Sequence, residues 1–372
     1  MRQAIINARI FTGENIVEGE VLVIDNGKIE AIQSAIPAEA TIIDLKGNNI
    51  SAGCIDIQIN GGFTHYFTKS PTEETLHDIC DSSLHFGTTH VLPCLISSSL
   101  ETILTAIETV KNFMQRYPQK GVLGMHLEGP FLNPLKRGAH LAKFVRQPTN
   151  DELQQIILKG RGVIKVMTIA PECFTNEQID MLLDSGIVIS AGHSTMDYKQ
   201  AQQYFSKGIS LITHLYNAMT QMGHREPGMV GAVLDNDSVY APIILDGGHC
   251  DYAAARIAYK AKKEKLFLIS DAAFLGRRVK EFSWGEFDTI LVDEFYRNKE
   301  GNLAGAAISM QEAVQNAMQH LYVSLEEALK MATVRVAKAI KMEAAVGKIQ
   351  PGYPAHFIQF NNDFSQVESM LF

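Results

Sequence analysis

The chain has 372 residues, 46% hydrophobic and 20% charged, with a formal net charge of −8. That length suits one large domain with a smaller one, and an acidic balance with no basic stripe argues against nucleic acid as a general partner. The 5 cysteines (Cys54, Cys80, Cys94, Cys173, Cys250) are scattered with no CxxC pair, and no stretch is long and apolar enough for a signal or a bilayer span, so a cytoplasmic protein with reduced thiols and no membrane partner is expected.

Taken in chain order, the first fifty residues alternate apolar and polar, as in Glu20–Asp25 and Lys28–Gln33, with Asn26-Gly27 between them as a hairpin signal. The tail repeats this flavour in Ala355–Phe360 after Gly347-Lys-Ile-Gln-Pro-Gly352. Residues 1–50 and 345–372 are therefore placed together in a small β-sandwich. Between them, strands and helices alternate. Eight strands are expected over Cys54–Ile59, Thr89–Leu95, Gly121–Leu127, Ile164–Ile169, Ile187–Ala191, Ser210–Thr213, Tyr240–Leu245 and Leu266–Ser270. Helices are expected over Thr72–Phe86, Leu100–Tyr117 and Asp197–Lys207. This pattern over 51–344 predicts an α/β fold, a closed (β/α)₈ barrel. A doubly wound open sheet is the alternative. It would not explain why so many strands end in His, Asp or Glu. After Asp271, the run Phe287–Asp293, Arg297–Asn302 and Leu303–Gly305 reads as an inserted hairpin near 280–305, placed to cover the barrel mouth.

Glu128, His193, His214 and Asp271 each close a short apolar run, and polar residues at the C-terminal ends of barrel strands converge on one mouth. One histidine alone is more often a satisfied structural residue. Two at equivalent strand ends, with Glu128 nearby, form a three-ligand catalytic site for zinc or a similar divalent ion, with iron, manganese and cobalt also compatible. Asp271 is suited to carry protons between water and a leaving group; the plainer reading is a helix N-cap. His140, in the loop after Glu128, is either a polariser of a carbonyl oxygen or a solvated loop residue. Asn217, Arg225 and His249 supply donors suited to a phosphate or to sugar hydroxyls, though singly each reads as a loop residue. His126 shares its strand face with Glu128, as a partner of the metal site or as a buried structural histidine.

Seven stretches carry a resemblance: Gly53–Gly61, His126–Phe131, Lys136–His140, Ala191–Ser194, Thr213–Met219, Arg225–Gly228 and Ser270–Ala272. In this order they resemble the N-acetylglucosamine-6-phosphate deacetylases of the amidohydrolase superfamily. The resemblance implies hydrolysis of the acetamide of an amino-sugar phosphate. It implies metal ligation by Glu128, His193 and His214, acid–base work by Asp271, and contact of His140, beside Ala139, with the acetamide. Asn217, Ala218, Arg225 and His249 match positions that hold the sugar phosphate, and Leu303, Ala304 and Gly305 a segment lining the site. It also implies a homodimer or higher homo-oligomer in which a neighbouring subunit helps hold the phosphate. Gln58 and Asn60 stand where many amidohydrolases carry His-x-His, which points to one metal ion per subunit. Another N-acetylamino sugar phosphate or a cyclic amide is the alternative substrate, and a non-catalytic sugar-phosphate sensor the alternative class.

Overall fold

The alternating ends of the chain build one two-layer β-sandwich. The computed structural model describes residues 2–372. One layer runs Lys28–Gln33, Val21–Asp25, Gln3–Ile6, Thr41–Asp44; the other runs Val367–Leu371, His356–Phe360, Asn49–Ala52, Arg9–Phe11, Ile16–Val17. The two termini meet there, with Phe357 opposite Ala52 and Phe360 opposite Asn49. Ile5, Ile10, Leu22, Ile24, Ile50 and Phe357 fill the space between the layers, because alternate residues of a strand share a face. Asn26 and Gly27, at φ 48° and 73°, make the tight turn between Val21–Asp25 and Lys28–Gln33, as the type I′ geometry requires.

The barrel strands are β1 (Cys54–Ile59), β2 (Thr88–Ile96), β3 (Met125–Glu128), β4 (Ile164–Ile169), β5 (Val188–Ala191), β6 (Leu211–Ile212), β7 (Ala241–Ile244) and β8 (Leu266–Ile269). Strands β1 to β6 form one parallel sheet and β7 pairs with β8. Parallel bridges Leu211↔Tyr240 and Ile59↔Ala272 close the ring. Every residue of β1, β2 and β8 is buried, as expected for strands covered on the inside by barrel packing and on the outside by helices. Burying each Leu, Ile or Phe there stabilises the fold by about 1.5–3 kcal/mol.

Five expected strands are shorter than their runs: β5, β7 and β8 lose one or two end residues, and β3 and β6 are cut back by the backbone. Gly121 and Gly124, at φ 75° and 148°, delay β3 to Met125, and the left-handed His214 cuts β6 to two residues. Expected helix ends shrink for a related reason. Thr72 and Asp197 are extended N-caps whose side chains accept from Thr75 and Gln200 N–H, so the helices begin at Glu73 and Tyr198. The insert is larger than a hairpin: three antiparallel strands, Glu281–Trp284, Phe287–Val292 and Phe295–Arg297. The sequence reading missed the first of these. Phe282 and Phe287 pack on Tyr66 with ring centroids 5.2 and 5.6 Å away, seating the insert beside the barrel mouth. No helix among the described residues is long and apolar enough to cross a membrane.

Candidate active site

Glu128 is the last residue of β3, while His193, His214 and Asp271 each stand two residues beyond β5, β6 and β8. These three adopt φ of 49°, 28° and 48°. A left-handed backbone costs a non-glycine residue about 1–2 kcal/mol, and it persists where the surroundings hold it. Here the kink turns each side chain from the strand direction into the mouth.

Three donor atoms meet there. His193 Nε2 lies 3.1 Å from Glu128 Oε1, His214 Nε2 lies 3.2 Å from the same oxygen, and the two imidazole nitrogens are 3.1 Å apart. His193 Nδ1 donates to the Lys136 carbonyl at 2.8 Å, which leaves its Nε2 with a lone pair. Two nitrogens and a carboxylate oxygen facing one another are stable only around a cation or a shared proton. The triangle matches the edge of about 3.3 Å expected between donors that each sit about 2.0–2.1 Å from a four-coordinate ion. His214 Nδ1 is buried without a partner, so its ring is held from the Nε2 side. These residues fit a divalent metal. Burial raises the Glu128 carboxyl, but the His193 and His214 imidazoles facing it outweigh this and hold the group well below its ordinary value. Burial lowers the His214 imidazole, yet Glu128 lifts it above its ordinary value on balance.

His140 competes for the third ligand position, since the donor atoms of Glu128, His140 and His193 also lie within 4.8 Å of one another. Its tautomer decides against it. The Ser97 N–H donates to His140 Nδ1 at 3.3 Å, and the Ser97 hydroxyl lies 2.8 Å from the same atom. A ring nitrogen that accepts carries no proton, so the neutral ring bears its proton on Nε2 and acts as a donor. Burial and then the charge of His193 push this imidazole down to about 3, which keeps it neutral. His140 is thus a neutral N–H aimed at the cluster.

Asp271 is held by two amides. Gln58 Nε2 and Asn60 Nδ2 donate to its Oδ1 at 3.2 and 2.9 Å, leaving Oδ2 for the cavity. Burial first, and then the charge of Glu128, push this carboxyl up to about 7; His214, His249 and the Asn60 amide pull the other way. A cation in the neighbouring cluster would draw it down again.

Glu128, His140, His193, His214, Asp271 and Asn60 line one cavity of about 680 Å³, together with Ala139, Asn217, Ala218, His249 and Leu303 to Gly305. Arg225 does not line it and lies in an exposed turn. Asn217 also differs from the expectation of a free donor. Its Nδ2 donates to the Leu215 carbonyl at 3.2 Å and lies 3.5 Å from the His214 carbonyl, so its own loop engages the amide nitrogen and the side-chain oxygen is left for a ligand. His126 takes the plainer of its two readings: Nδ1 lies 3.0 Å from the Ile57 carbonyl and Nε2 2.8 Å from Thr168 Oγ1.

Residues 49–370 match the amidohydrolase family, and residues 3–50 match the NagA composite domain. The chain belongs to the amidohydrolase family. This amidohydrolase is 32% identical to an N-acetylglucosamine-6-phosphate deacetylase of Haemophilus influenzae, over 100% of its own length and 98% of that protein's. It is 35% identical to an N-acetylgalactosamine-6-phosphate deacetylase of a Shewanella strain, with 96% and 91% covered. The crystal structure of N-acetylglucosamine-6-phosphate deacetylase from Pasteurella multocida superposes with a TM-score of 0.94 at 34% identity over 100% of both chains.

Several residues of this amidohydrolase site escaped the sequence reading. Ser97 sets the His140 tautomer from a strand end 43 residues away. The Lys136 carbonyl sets that of His193, and the Cys94 thiol reaches Glu128 Oε2 at 3.5 Å. A carbonyl or a lone Ser carries no sequence signal for such a role. Gln58 and Asn60 did carry one, since they fill positions where metal-binding histidines were awaited, but their grip on Asp271 exists only once β1 and β8 close the barrel.

Proposed function

We propose that this chain hydrolyses the acetamide of N-acetyl-D-glucosamine 6-phosphate to D-glucosamine 6-phosphate and acetate, a step of amino-sugar catabolism. The observation that carries the reading is the meeting, in one cavity, of the Glu128–His193–His214 cluster, the amide-held Asp271 and the His140 donor. Glu128 Oε1, His193 Nε2 and His214 Nε2 would hold one divalent ion per subunit, zinc foremost, with iron, manganese or cobalt as alternatives. Such an ion, when bound, supplies Lewis acidity and makes water a stronger acid.

The protein's own groups do the rest. Asp271 Oδ2 takes a proton as the water oxygen bonds to the acetamide carbon. When the C–N bond breaks, the same carboxyl returns that proton to the departing amine, which would otherwise be too poor a leaving group. His140 Nε2–H donates to the carbonyl oxygen as negative charge builds on it. His249, the Asn217 carbonyl, and the Ala218 and Leu303–Gly305 backbone shape the sugar side of the cavity, with Ala139 beside the acetamide.

Residues 51–344 act as the catalytic barrel with its insert, braced by the sandwich of 1–50 and 345–372. The assembly is a homodimer or larger homo-oligomer. Leu135 and Met222, 84% and 63% exposed, sit on two loops joined by Lys136 Nζ and the Met219 carbonyl, an apolar rim suited to a second subunit. Arg225, on the same exposed turn as Met222, would serve the phosphate from such an interface. Five free cysteines suit a cytoplasmic setting.

The relative named for N-acetylgalactosamine 6-phosphate, at 35% identity, favours a second reading in which the C4 epimer is the substrate. Acetate release from both sugar phosphates, by chelator-stripped protein before and after zinc is restored, separates the two. Release only with metal and faster from the gluco sugar supports the first reading. Release from neither, with zinc, iron or manganese, sinks both and leaves a sugar-phosphate sensor.

A further inference from the structure

Asp246 follows β7 and shares a tight turn with His249. Its Oδ2 lies 2.6 Å from His249 Nδ1, with both side chains under a tenth exposed. Its Oδ1 accepts the backbone N–H of Gly248 at 2.9 Å and of His249 at 2.8 Å. Every acceptor direction of the carboxylate toward the turn is therefore used, and nothing in it faces a cation outside the turn. His249 lines the cavity, and its Nε2 has no protein partner among the described residues. Burial would raise the Asp246 carboxyl, but the hydrogen bond from His249, with the two backbone N–H groups, holds it below its ordinary value. The pair is thus a carboxylate that accepts a hydrogen bond from His249 Nδ1–H.

We propose that Asp246 is a positioning residue that fixes the orientation and tautomer of His249, so that Nε2 meets a hydroxyl of the bound sugar phosphate as an acceptor. The chemistry follows from the proton count. With Nδ1–H donated to Asp246, a ring that carries this single proton offers a lone pair at Nε2. Of the polar groups on an N-acetylamino sugar phosphate, the ring hydroxyls and the acetamide N–H can donate to such an atom; the acetamide is placed at the Glu128–His193–His214 end of the cavity, which leaves a hydroxyl for His249. The contact therefore reads a hydroxyl, and it rests on the reading that this cavity holds an N-acetylamino sugar phosphate.

Asp246→Asn separates this role from a structural one. The two backbone N–H groups require the amide oxygen of the new side chain to face the turn, which turns its NH₂ toward His249 Nδ1. That ring must then accept at Nδ1 and carry its proton on Nε2, so the cavity-facing atom changes from acceptor to donor while the turn keeps its hydrogen bonds. With intact, metal-loaded enzyme and N-acetylglucosamine 6-phosphate, the expected result is a kcat/KM loss of about 10–100-fold, mostly in KM, as for a hydroxyl left facing the wrong partner. The same substitution in a His249→Gln background should add little further loss, because a residue acting through another is not additive with it. In ¹⁵N spectra the His249 resonances, identified by their absence in His249→Gln, should report Nδ1–H in the wild type and Nε2–H in the variant. A wild-type KM in Asp246→Asn overturns the proposal. So does an equal loss in both backgrounds. If the wild type itself releases no acetate, the functional reading falls, and the ring spectra alone then decide whether Asp246 sets the tautomer.

Discussion

His126 and His214 stand within the same barrel, both nearly inaccessible to solvent, and their surroundings make opposite things of them. His126 has a partner at each nitrogen, and burial, only partly offset by Glu128, pushes it down to about 4. It is a neutral packing residue whose hydrogen bonds are complete. His214 has one nitrogen without a partner and the other facing a carboxylate and a second imidazole; burial lowers it, and Glu128 then raises it above its ordinary value. Burial does not separate a structural histidine from a ligand. Incomplete pairing does, because a buried polar group left open costs about 1–3 kcal/mol unless something else fills it.

The largest effect expected from breaking the mouth is at Asp271. Asp271→Asn should lower turnover by about 10²–10⁴-fold while metal content, measured on dialysed protein, stays at the wild-type level. Turnover close to wild type would remove Asp271 from the proton-carrying role. Next in size, His140→Gln should lower kcat by about 10²–10³-fold, the usual range for one lost oxyanion donor. Metal stoichiometry should stay unchanged, and loss of the metal instead would make His140 a ligand and reverse the tautomer argument from Ser97.

On the structural side of the comparison, His126→Leu strands the Ile57 carbonyl and the Thr168 hydroxyl. It should cost about 1–3 kcal/mol of stability in denaturant titration, with kcat per folded molecule within a few-fold of wild type. A variant that stays stable but loses its metal would dissolve the distinction drawn here.

The smallest effect concerns a third pair. His90 on β2 meets His356 of the sandwich, Nε2 to Nδ1 at 3.2 Å, and burial, then the neighbouring ring, pushes His90 down to about 3 from an ordinary 6.5. A base lowered by folding contributes stability that is complete above about pH 6.5 and drains away as the pH falls toward 3, since the unfolded chain binds the proton first. The melting temperature should therefore drop between pH 7 and 5, and drop less in His90→Asn. Equal slopes would show that the pair carries none of the acid sensitivity.

How far the site could be read from the chain differs residue by residue. Glu128, His193, His214 and Asp271 were visible because each ends an apolar run, and strand ends of a barrel share a mouth. Arg225 was read as one more donor, and its turn is exposed and off the cavity wall of its own chain; composition has no direction in it. Asn217 was read as a donor, and its own loop already holds one of its two amide hydrogens. The insert's first strand, Glu281–Trp284, is four residues long and half-exposed, too short for a periodicity to stand out.

The order of strands and helices, the polar residue that closes each strand and the alternating ends belong to the sequence, because they rest on local periodicity, which a linear chain displays in full. The tautomers of His140 and His193, the grip of Gln58 and Asn60 on Asp271 and the pairing of Phe357 with Ala52 were decided only in three dimensions. Each depends on a hydrogen bond between groups some 40 to 300 residues apart, and such bonds form only when the barrel closes and removes the water that would otherwise satisfy them.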